Sequence, residues 1–157
     1  MLKSNDDRPL ISIVVPVLNE SDNILPFYSA LEKALNPLDS YYQFEVLFTD
    51  NHSSDDTFER ISSLCMRDSK VYGFRLSKNF GYQKSILTGY LLSRGQAVIQ
   101  LDVDLQDPPE MISEFIDYWR SGYKVVYGIR EKRGEGILIT VVRRLFYRLI
   151  NIMSGDD

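Results

Sequence analysis

The sequence predicts an α/β fold, with a mostly parallel sheet and helices on both of its faces. Short apolar runs alternate along the chain with segments whose apolar residues recur every three or four positions. Strands that alternate with helices in this way form βαβ units and a parallel sheet. Polar clusters follow directly after the predicted strands. Because ligands of such sheets bind beyond the carboxyl ends of the strands, these clusters predict a site at one edge of the sheet.

The bulk composition narrows the class of protein. The chain has 157 residues, which predicts a single domain spanning 1–157, and its net charge is −4. No global positive field therefore points to a nucleic acid partner. A single cysteine, Cys65, excludes an internal disulfide. No stretch reaches the roughly 18–20 consecutive apolar residues of a membrane-spanning helix.

The first half of the chain contains three predicted strands and two predicted helices. The continuous apolar run ISIVVPV at 11–17 is typical of a strand buried in a parallel sheet. Residues 22–35 carry apolar side chains at helical spacing. The run FEVLFTD at 44–50 predicts a second strand, and residues 55–67 repeat the helical period. The run VYGFRLS at 71–77 predicts a third strand.

The second half repeats this alternation. Residues 82–94 predict a third helix, and AVIQLD at 97–102 predicts a fourth strand. Residues 108–122 predict a helix that begins with two prolines, which suit a first helical turn. The run KVVYGIR at 124–130 predicts a fifth strand. Residues 136–153 predict a last, amphipathic helix with an apolar face beside several arginines.

Three acidic residues follow the fourth predicted strand within the run DVDLQD at 102–107. Asp102 and Asp104 have the spacing of an extended segment, so both side chains can face one point, with Gln106 on the same side. Two carboxylates and an amide oxygen make a hard oxygen site, which suits Mg²⁺ or Mn²⁺. The alternative is a solvated loop. For Asp107 we favour that alternative, with this residue as the N-cap before Pro108.

Five motifs together resemble those of inverting family-2 glycosyltransferases, enzymes with the Rossmann-like GT-A fold. The motifs are PVLNE at 16–20, TDNHSSDDT at 49–57, LSKNFG at 76–81, LDVDLQDPPE at 101–110 and GIR at 128–130. The LQDPPE form resembles the polyprenyl-phosphate branch of that family, which includes dolichol-phosphate mannose synthase and undecaprenyl-phosphate glucosyltransferases. The resemblance covers nearly the whole chain, in order.

This resemblance implies roles for particular residues. Asp50 lies where the family hydrogen-bonds the base, and Arg130 lies where it contacts phosphates. The DxD residues Asp102 and Asp104, with Gln106, would hold the divalent metal on the diphosphate. Arg143 and Arg144 would face the acceptor and its membrane. The implied nucleotide-binding residues are Pro16, Leu18, Asn19, Glu20, Asp50, Lys78, Gly81, Asp102 and Val103.

The sequence departs from the family pattern in two places. The family often reads DDGS where this chain has Asp50, Asn51, His52 and Ser53, which puts the choice of base in doubt. We interpret His52 as a loop residue rather than a catalytic base. Family members also continue past the last residues here, SGDD at 154–157, with an acidic catalytic segment. The resemblance therefore implies an N-terminal portion that lacks its catalytic residue and is inactive alone.

The function that follows from the resemblance is metal-dependent sugar transfer from a nucleotide diphosphate donor, with a UDP-sugar favoured, to a polyprenyl phosphate. Such an enzyme of the cell envelope would act at the cytoplasmic face of the membrane. The basic amphipathic helix at 136–153 would lie on that surface, or alternatively would pack on the sheet. Two alternatives are a glycosyltransferase with a saccharide acceptor and a nucleotide-binding fragment without turnover.

Overall fold

The computed structural model describes residues 7–129. The predicted helix at 136–153 and the predicted site residues Arg130, Arg143 and Arg144 lie outside this range. The chain divides into two compact units after Val126, and every described helix and strand belongs to the first unit.

Strands and helices alternate along the described chain, as predicted. Two short 3-10 helices, Asn36–Leu38 and Pro109–Met111, accompany the main elements. The main elements are β1 (Leu10–Val17), α1 (Ser21–Leu35), β2 (Gln43–Asp50), α2 (Thr57–Arg67), β3 (Val71–Arg75), α3 (Tyr82–Leu92), β4 (Ala97–Gln100) and α4 (Ile112–Arg120).

The four described strands form one parallel sheet in the order β3-β2-β1-β4. The register pairs Val14 of β1 with Leu47 of β2 on one side and with Gln100 of β4 on the other. β1 is therefore an inner strand, and its residues from Ile11 to Val17 are all buried. Since all four strands run the same way, their carboxyl ends and the loops that follow them meet at one edge.

Helices cover both faces of the sheet. On one face the rings of Phe27 in α1 and Phe48 in β2 meet edge to face, with centroids 6.2 Å apart. Residues of α2 and α4, including Ile61 and Ile112, join the same apolar core. On the other face α3 lies against β1 and β2. It approaches so closely that a Cβ on Gly89 would come within 2.3 Å of Val14 Cγ1.

The predicted fifth strand is wrong within the residues that the structure describes. KVVYGI at 124–129 has no strand assignment. Its alternating apolar residues are exposed, as Val125 is 79% accessible and Ile129 75% accessible. Alternation alone does not make a strand, since a strand needs a neighbour to complete its backbone hydrogen bonds.

The predicted helix at 108–122 begins later than expected. Pro108 is extended, with φ −69° and ψ 132°, because the residue before a proline is pushed out of the α region. The 3-10 helix then intervenes, and α4 begins at Ile112 with Met111 at its N-cap. Asp107 is therefore not the helix cap, and that prediction was wrong.

Candidate functional site

A cavity of about 350 Å³ opens at the carboxyl edge of the sheet. It lies where the sequence predicted a ligand site, and it is open to solvent. The residues that line it come from the end of β1, from the loops after β1, β2, β3 and β4, and from the first turn of α3. They are Pro16, Val17, Leu18, Glu20, Asn51, Asn79, Gly81, Tyr82, Ser85, Asp102, Val103 and Asp104.

Most of the predicted nucleotide- and metal-binding residues that the structure describes are brought together here. Those that line the cavity are Pro16, Leu18, Glu20, Gly81, Asp102, Val103 and Asp104. Asn19, Asp50, Lys78 and Gln106 are not among the lining residues. The ligand-binding roles of all these residues, inside and outside the cavity lining, remain predictions.

Hydrogen bonds connect the turn after β1 to the residues that follow β2. Asn19 adopts a left-handed conformation with φ 55°, which asparagine tolerates better than most residues. Its backbone N–H donates to Ser53 Oγ at 2.8 Å, and its side-chain Oδ1 accepts from the backbone N–H of Ser54 at 2.8 Å. The backbone N–H of Glu20 donates to Thr57 Oγ1 at 2.8 Å. Asn19 thus holds its neighbours at the cavity wall.

Asp50 is fully buried beneath this loop. Its Oδ1 accepts hydrogen bonds from the backbone N–H and the hydroxyl of Ser53. Its Oδ2 has no hydrogen-bond partner among the described residues, although Arg75 Nε lies 3.4 Å away. The two atoms are close enough to form an ion pair, but their geometry is not that of a hydrogen bond. Arg75 therefore offsets the buried charge, while one acceptor oxygen stays unsatisfied, which is costly for a buried group.

Asn51, one of the departures from the family pattern, has a defined role in the loops. Its Nδ2 donates to Asn79 Oδ1 at 2.8 Å, and its Oδ1 accepts from the backbone N–H of Phe80 at 2.9 Å. Asn79 Oδ1 also accepts from the backbone N–H of Gly81 at 2.9 Å. The amide thus joins the loop after β2 to the loop that leads into α3. An aspartate at this position would place a carboxylate oxygen against Asn79 Oδ1.

Tyr82 and Ser85 are site residues that the sequence reasoning missed. They lie three positions apart in the first turn of α3, so both can face the cavity. Ser85 Oγ donates to the carbonyl oxygen of Thr49 at 2.7 Å and anchors the turn to β2. The signal that could have found them is the LSKNFG motif directly before the helix, since a helix starting there presents its first turn to the strand ends.

Asp102 is held by two donors that share one of its oxygens. The hydroxyl of Tyr82 donates to Asp102 Oδ1 at 2.5 Å, and Gln100 Nε2 donates to the same oxygen at 2.9 Å. Burial and then this carboxylate raise the pKa of Tyr82 to about 12. The hydroxyl therefore keeps its proton, and acts as a donor, throughout the physiological pH range.

Asp104 lies in a more open setting. Its side chain is exposed, and its Oδ1 accepts from the backbone N–H of Gln106 at 3.0 Å. Leu105 between them adopts a left-handed conformation with φ 58°. In residues 7–129 no hydrogen bond uses Oδ2 of Asp104, and the same holds for Oδ2 of Asp102.

The donor set fits a divalent cation that is shared with a ligand. The described residues contain no group of three or more His, Cys, Asp or Glu side chains placed to hold a metal. Asp102 and Asp104 nevertheless line the same cavity, and each has one carboxylate oxygen outside the hydrogen bonds of residues 7–129. Mg²⁺ in proteins commonly takes one or two carboxylates and completes its shell with water and phosphate oxygens.

The family model described as "Glycosyl transferase family 2" matches residues 12–155. This chain belongs to glycosyl transferase family 2. The match covers β1 from Ser12 onwards, the other three strands and the loops that line the cavity, so the site described above lies within the family domain.

Curated relatives in this family are longer than the chain. "Uncharacterized glycosyltransferase YkcC" of Bacillus subtilis is 39% identical over 147 residues, which cover 93% of this chain and 45% of the relative. "Bactoprenol glucosyl transferase" of Shigella phage SfV is 36% identical over 147 residues, which cover 92% of this chain and 47% of the relative. The chain thus spans about half the length of the curated relatives it matches.

Solved glycosyltransferase structures share the fold. The mannosyltransferase PcManGT from Pyrobaculum calidifontis, in complex with GDP-Man and Mn²⁺, superposes with a TM-score of 0.61 at 19% identity over 71% of this chain and 32% of that one. S. aureus TarS 1–349 in complex with UDP-GlcNAc gives a TM-score of 0.59 at 19% identity over 80% and 37%. These similarities confirm the predicted GT-A fold.

Lys78, a predicted nucleotide-binding residue, and His52, a predicted loop residue, both lie in loops at the carboxyl edge of the sheet. Lys78 Nζ lies 5.1 Å from the centroid of the Phe80 ring, a cation–π distance. His52 lies in the loop after β2, as predicted, with φ 71° and with Nδ1 3.1 Å from the carbonyl oxygen of Leu76.

None of the described helices is long and apolar enough to cross a bilayer.

Proposed function

We propose that this chain carries the donor site of a glycosyltransferase that moves a sugar from a nucleotide diphosphate to a polyprenyl phosphate. The observation that carries the proposal is the pair Asp102 and Asp104, which line an open cavity at the carboxyl edge of a family-2 domain. This is where a parallel α/β sheet binds its ligand. Residues 1–157 would then form the donor-binding portion of a GT-A domain.

The chemistry assigns separate tasks to the cavity residues. Asp102 and Asp104, joined by Gln106 as the sequence predicts, would hold Mg²⁺ or Mn²⁺ against the diphosphate. When bound, such a cation acts as a Lewis acid that stabilises charge on a leaving diphosphate. The remaining nucleotide-binding residues, including Leu18 and Gly81, would position the donor. Fixed position and fixed charges supply much of the rate in reactions of this type.

The proposed acceptor is supported by the printed names of relatives. Several relatives at 36% identity are described as bactoprenol glucosyl transferases. A lipid phosphate is already an anion at neutral pH, so its attack on the sugar needs no strong general base. The acceptor lies in a membrane, and we propose that Arg130, Arg143 and Arg144 face it at the cytoplasmic surface. A UDP-sugar is the favoured donor, from the resemblance to bacterial members.

Calorimetric titration tests the donor site. The chain is titrated with UDP and with GDP, each with and without Mn²⁺, and we expect Mn²⁺-dependent binding of UDP. Preference for GDP would correct the base and leave the donor site in place. Absence of binding to both nucleotides by a folded sample would refute the proposal that this portion holds the donor site.

The acceptor is tested separately in a transfer assay with the full protein. Transfer from a panel of UDP-sugars to undecaprenyl phosphate is compared with transfer to soluble oligosaccharides. Transfer to the lipid phosphate is expected. Transfer to an oligosaccharide alone would favour the second candidate, a saccharide acceptor. Nucleotide binding without any transfer would favour a non-catalytic nucleotide-binding protein.

A further inference from the structure

The first turn of α3 reaches the acidic loop through one side chain. Tyr82, the first residue of the helix, lines the cavity and donates its hydroxyl proton to Asp102 Oδ1 at 2.5 Å. Gln100, at the end of β4, donates to the same oxygen at 2.9 Å and to the Tyr82 hydroxyl oxygen at 3.2 Å. The three side chains therefore form a closed triangle of hydrogen bonds at the cavity rim.

This triangle distinguishes the two oxygens of one carboxylate. Oδ1 accepts two hydrogen bonds, while Oδ2 accepts none from residues 7–129. Asp102 is only half-buried, so packing alone would leave its carboxylate free to rotate. Two donors on one oxygen fix that rotation, because turning the group would break both bonds. The fixed orientation leaves Oδ2 available to a cation or a ligand group in the cavity.

The place of Tyr82 is itself set by the fold. Gly81 before it has φ 89°, a left-handed conformation that glycine adopts without strain, and its backbone N–H is held by Asn79. Ser85 ties the same helical turn to β2. Tyr82 therefore lies in a helical turn whose position is fixed by hydrogen bonds.

We infer that Tyr82 is a positioning residue for the cation site: with Gln100 it holds Oδ1 of Asp102 and thereby presents Oδ2 to the divalent metal. This inference rests on the proposed function. Residues that orient a metal ligand from behind typically affect metal affinity by about 10- to 100-fold. We therefore expect the hydroxyl, rather than the ring, to control how much Mn²⁺ the donor site requires.

The test is a Mn²⁺ titration at fixed UDP, read by nucleotide binding. Tyr82→Phe keeps the ring and removes the hydroxyl, and we expect it to raise the Mn²⁺ concentration for half-maximal binding about tenfold. Binding measured without Mn²⁺ should weaken by a much smaller factor. Gln100→Leu removes the second donor and should raise the Mn²⁺ requirement in the same direction. Thermal unfolding of each variant checks that the fold is intact.

Tyr90→Phe is the matched control. Tyr90 lies on the same helix and is about as exposed as Tyr82, and its hydroxyl makes no hydrogen bond with another described residue. Tyr90→Phe should need the same Mn²⁺ concentration as the parent for half-maximal nucleotide binding. A parental Mn²⁺ requirement in Tyr82→Phe would overturn the inference while leaving the donor site standing. Equal weakening with and without Mn²⁺ would also overturn it, because the hydroxyl would then act on the nucleotide or on the fold.

The Gln100 variant and the parent give two further outcomes. If Tyr82→Phe raises the Mn²⁺ requirement and Gln100→Leu does not, the hydroxyl acts elsewhere than through Asp102, and the inference fails. If the parent binds nucleotide with no dependence on Mn²⁺, the metal assignment in the proposed function fails together with the inference.

Discussion

Asp102 and Asp104 lie two positions apart, yet their surroundings differ. Asp102 is half-buried and held by Tyr82 and Gln100, while Asp104 is exposed and accepts one backbone hydrogen bond from Gln106. Because so little of the fold depends on the Asp104 side chain, its charge can be removed with little structural cost. It is the residue at which the metal assignment can be tested most cleanly.

At this residue we expect Asp104→Asn to reduce Mn²⁺-dependent nucleotide binding by more than about tenfold, since even indirect partners of a metal site have effects of that size. Stability should change by less than about 0.5 kcal/mol, as for other exposed substitutions. The asparagine Oδ1 can still accept the backbone hydrogen bond. Calorimetric titration with and without Mn²⁺ measures the effect.

The matched control is Asp117→Asn, the same substitution at an exposed position of α4 away from the cavity. It should bind nucleotide as the parent does. Unchanged Mn²⁺-dependent affinity in Asp104→Asn would remove this residue from the metal site.

At the scale of elements, a buried carboxylate joins β1, β2 and the turn between α3 and β4. Glu45 of β2 accepts hydrogen bonds from Ser12 Oγ at 2.6 Å and from the Arg94 backbone N–H at 2.7 Å. The Arg94 guanidinium donates to it twice, at 2.8 and 2.6 Å. Burial raises the pKa of Glu45, but these hydrogen bonds outweigh burial and hold its pKa below the ordinary value.

A carboxylate whose pKa is lower in the folded state stabilises the protein above its unfolded-state pKa. That stabilisation is lost as the pH falls through the folded-state pKa. We therefore expect the free energy of unfolding to decrease as the pH falls below about 4.3. Glu45→Gln should lower stability at pH 7 by about 1–3 kcal/mol and should weaken the dependence on pH in this acidic window.

Urea denaturation at pH 7 and pH 4 measures both effects. Glu114→Gln, at an exposed position in the first turn of α4, serves as the control and should stay within about 0.5 kcal/mol of the parent. If Glu45→Gln were as stable as the parent at pH 7, the hydrogen bonds of this carboxylate would not stabilise the contact between these elements.

The elements also show what a sequence can predict here. Continuous apolar runs located β1 and β2, because strands buried on both faces are rich in apolar residues. An apolar run also located the start of β4, which is the last strand in the described sheet order and is only partly buried. Polar residues after those runs then located much of the cavity. The contacts from Tyr82 to Asp102 and from Asn51 to Asn79 join residues 20 and 28 positions apart, so local periodicity could not predict them. KVVYGI failed as a strand for a related reason, since pairing depends on a neighbour supplied by the fold.

At the scale of the whole molecule, charge is distributed unevenly along the chain. The chain carries −4 in total, whereas residues 130–148 contain six Arg or Lys and two Glu, which gives that segment +4. Its apolar residues recur at helical spacing beside Arg143 and Arg144. This pattern predicts attraction to anionic membranes, at about 1 kcal/mol for each basic residue near the surface.

We expect the chain to bind liposomes that contain anionic lipid and to release them as salt rises. Arg143→Glu with Arg144→Glu should weaken partitioning by at least about tenfold, from the loss of two such charges. Cosedimentation with anionic and neutral liposomes measures it. Arg67→Glu with Arg120→Glu makes the same change in net charge at exposed positions elsewhere and should partition as the parent does. Equal partitioning of all three proteins would assign the apolar face of 136–153 to packing rather than to lipid.

The inner position of β1 affects when this strand becomes protected during synthesis of the chain. β1 is synthesised first, yet one of its two neighbours is β4, with Ile11 paired to Ala97. At ribosomal rates of about 5–20 residues per second, β1 waits on the order of ten seconds for that partner. We expect nascent chains stalled before β4 emerges to be cut rapidly by protease near β1, and chains stalled after it to resist. Equal resistance at both lengths would show that β2 and β3 alone protect the strand.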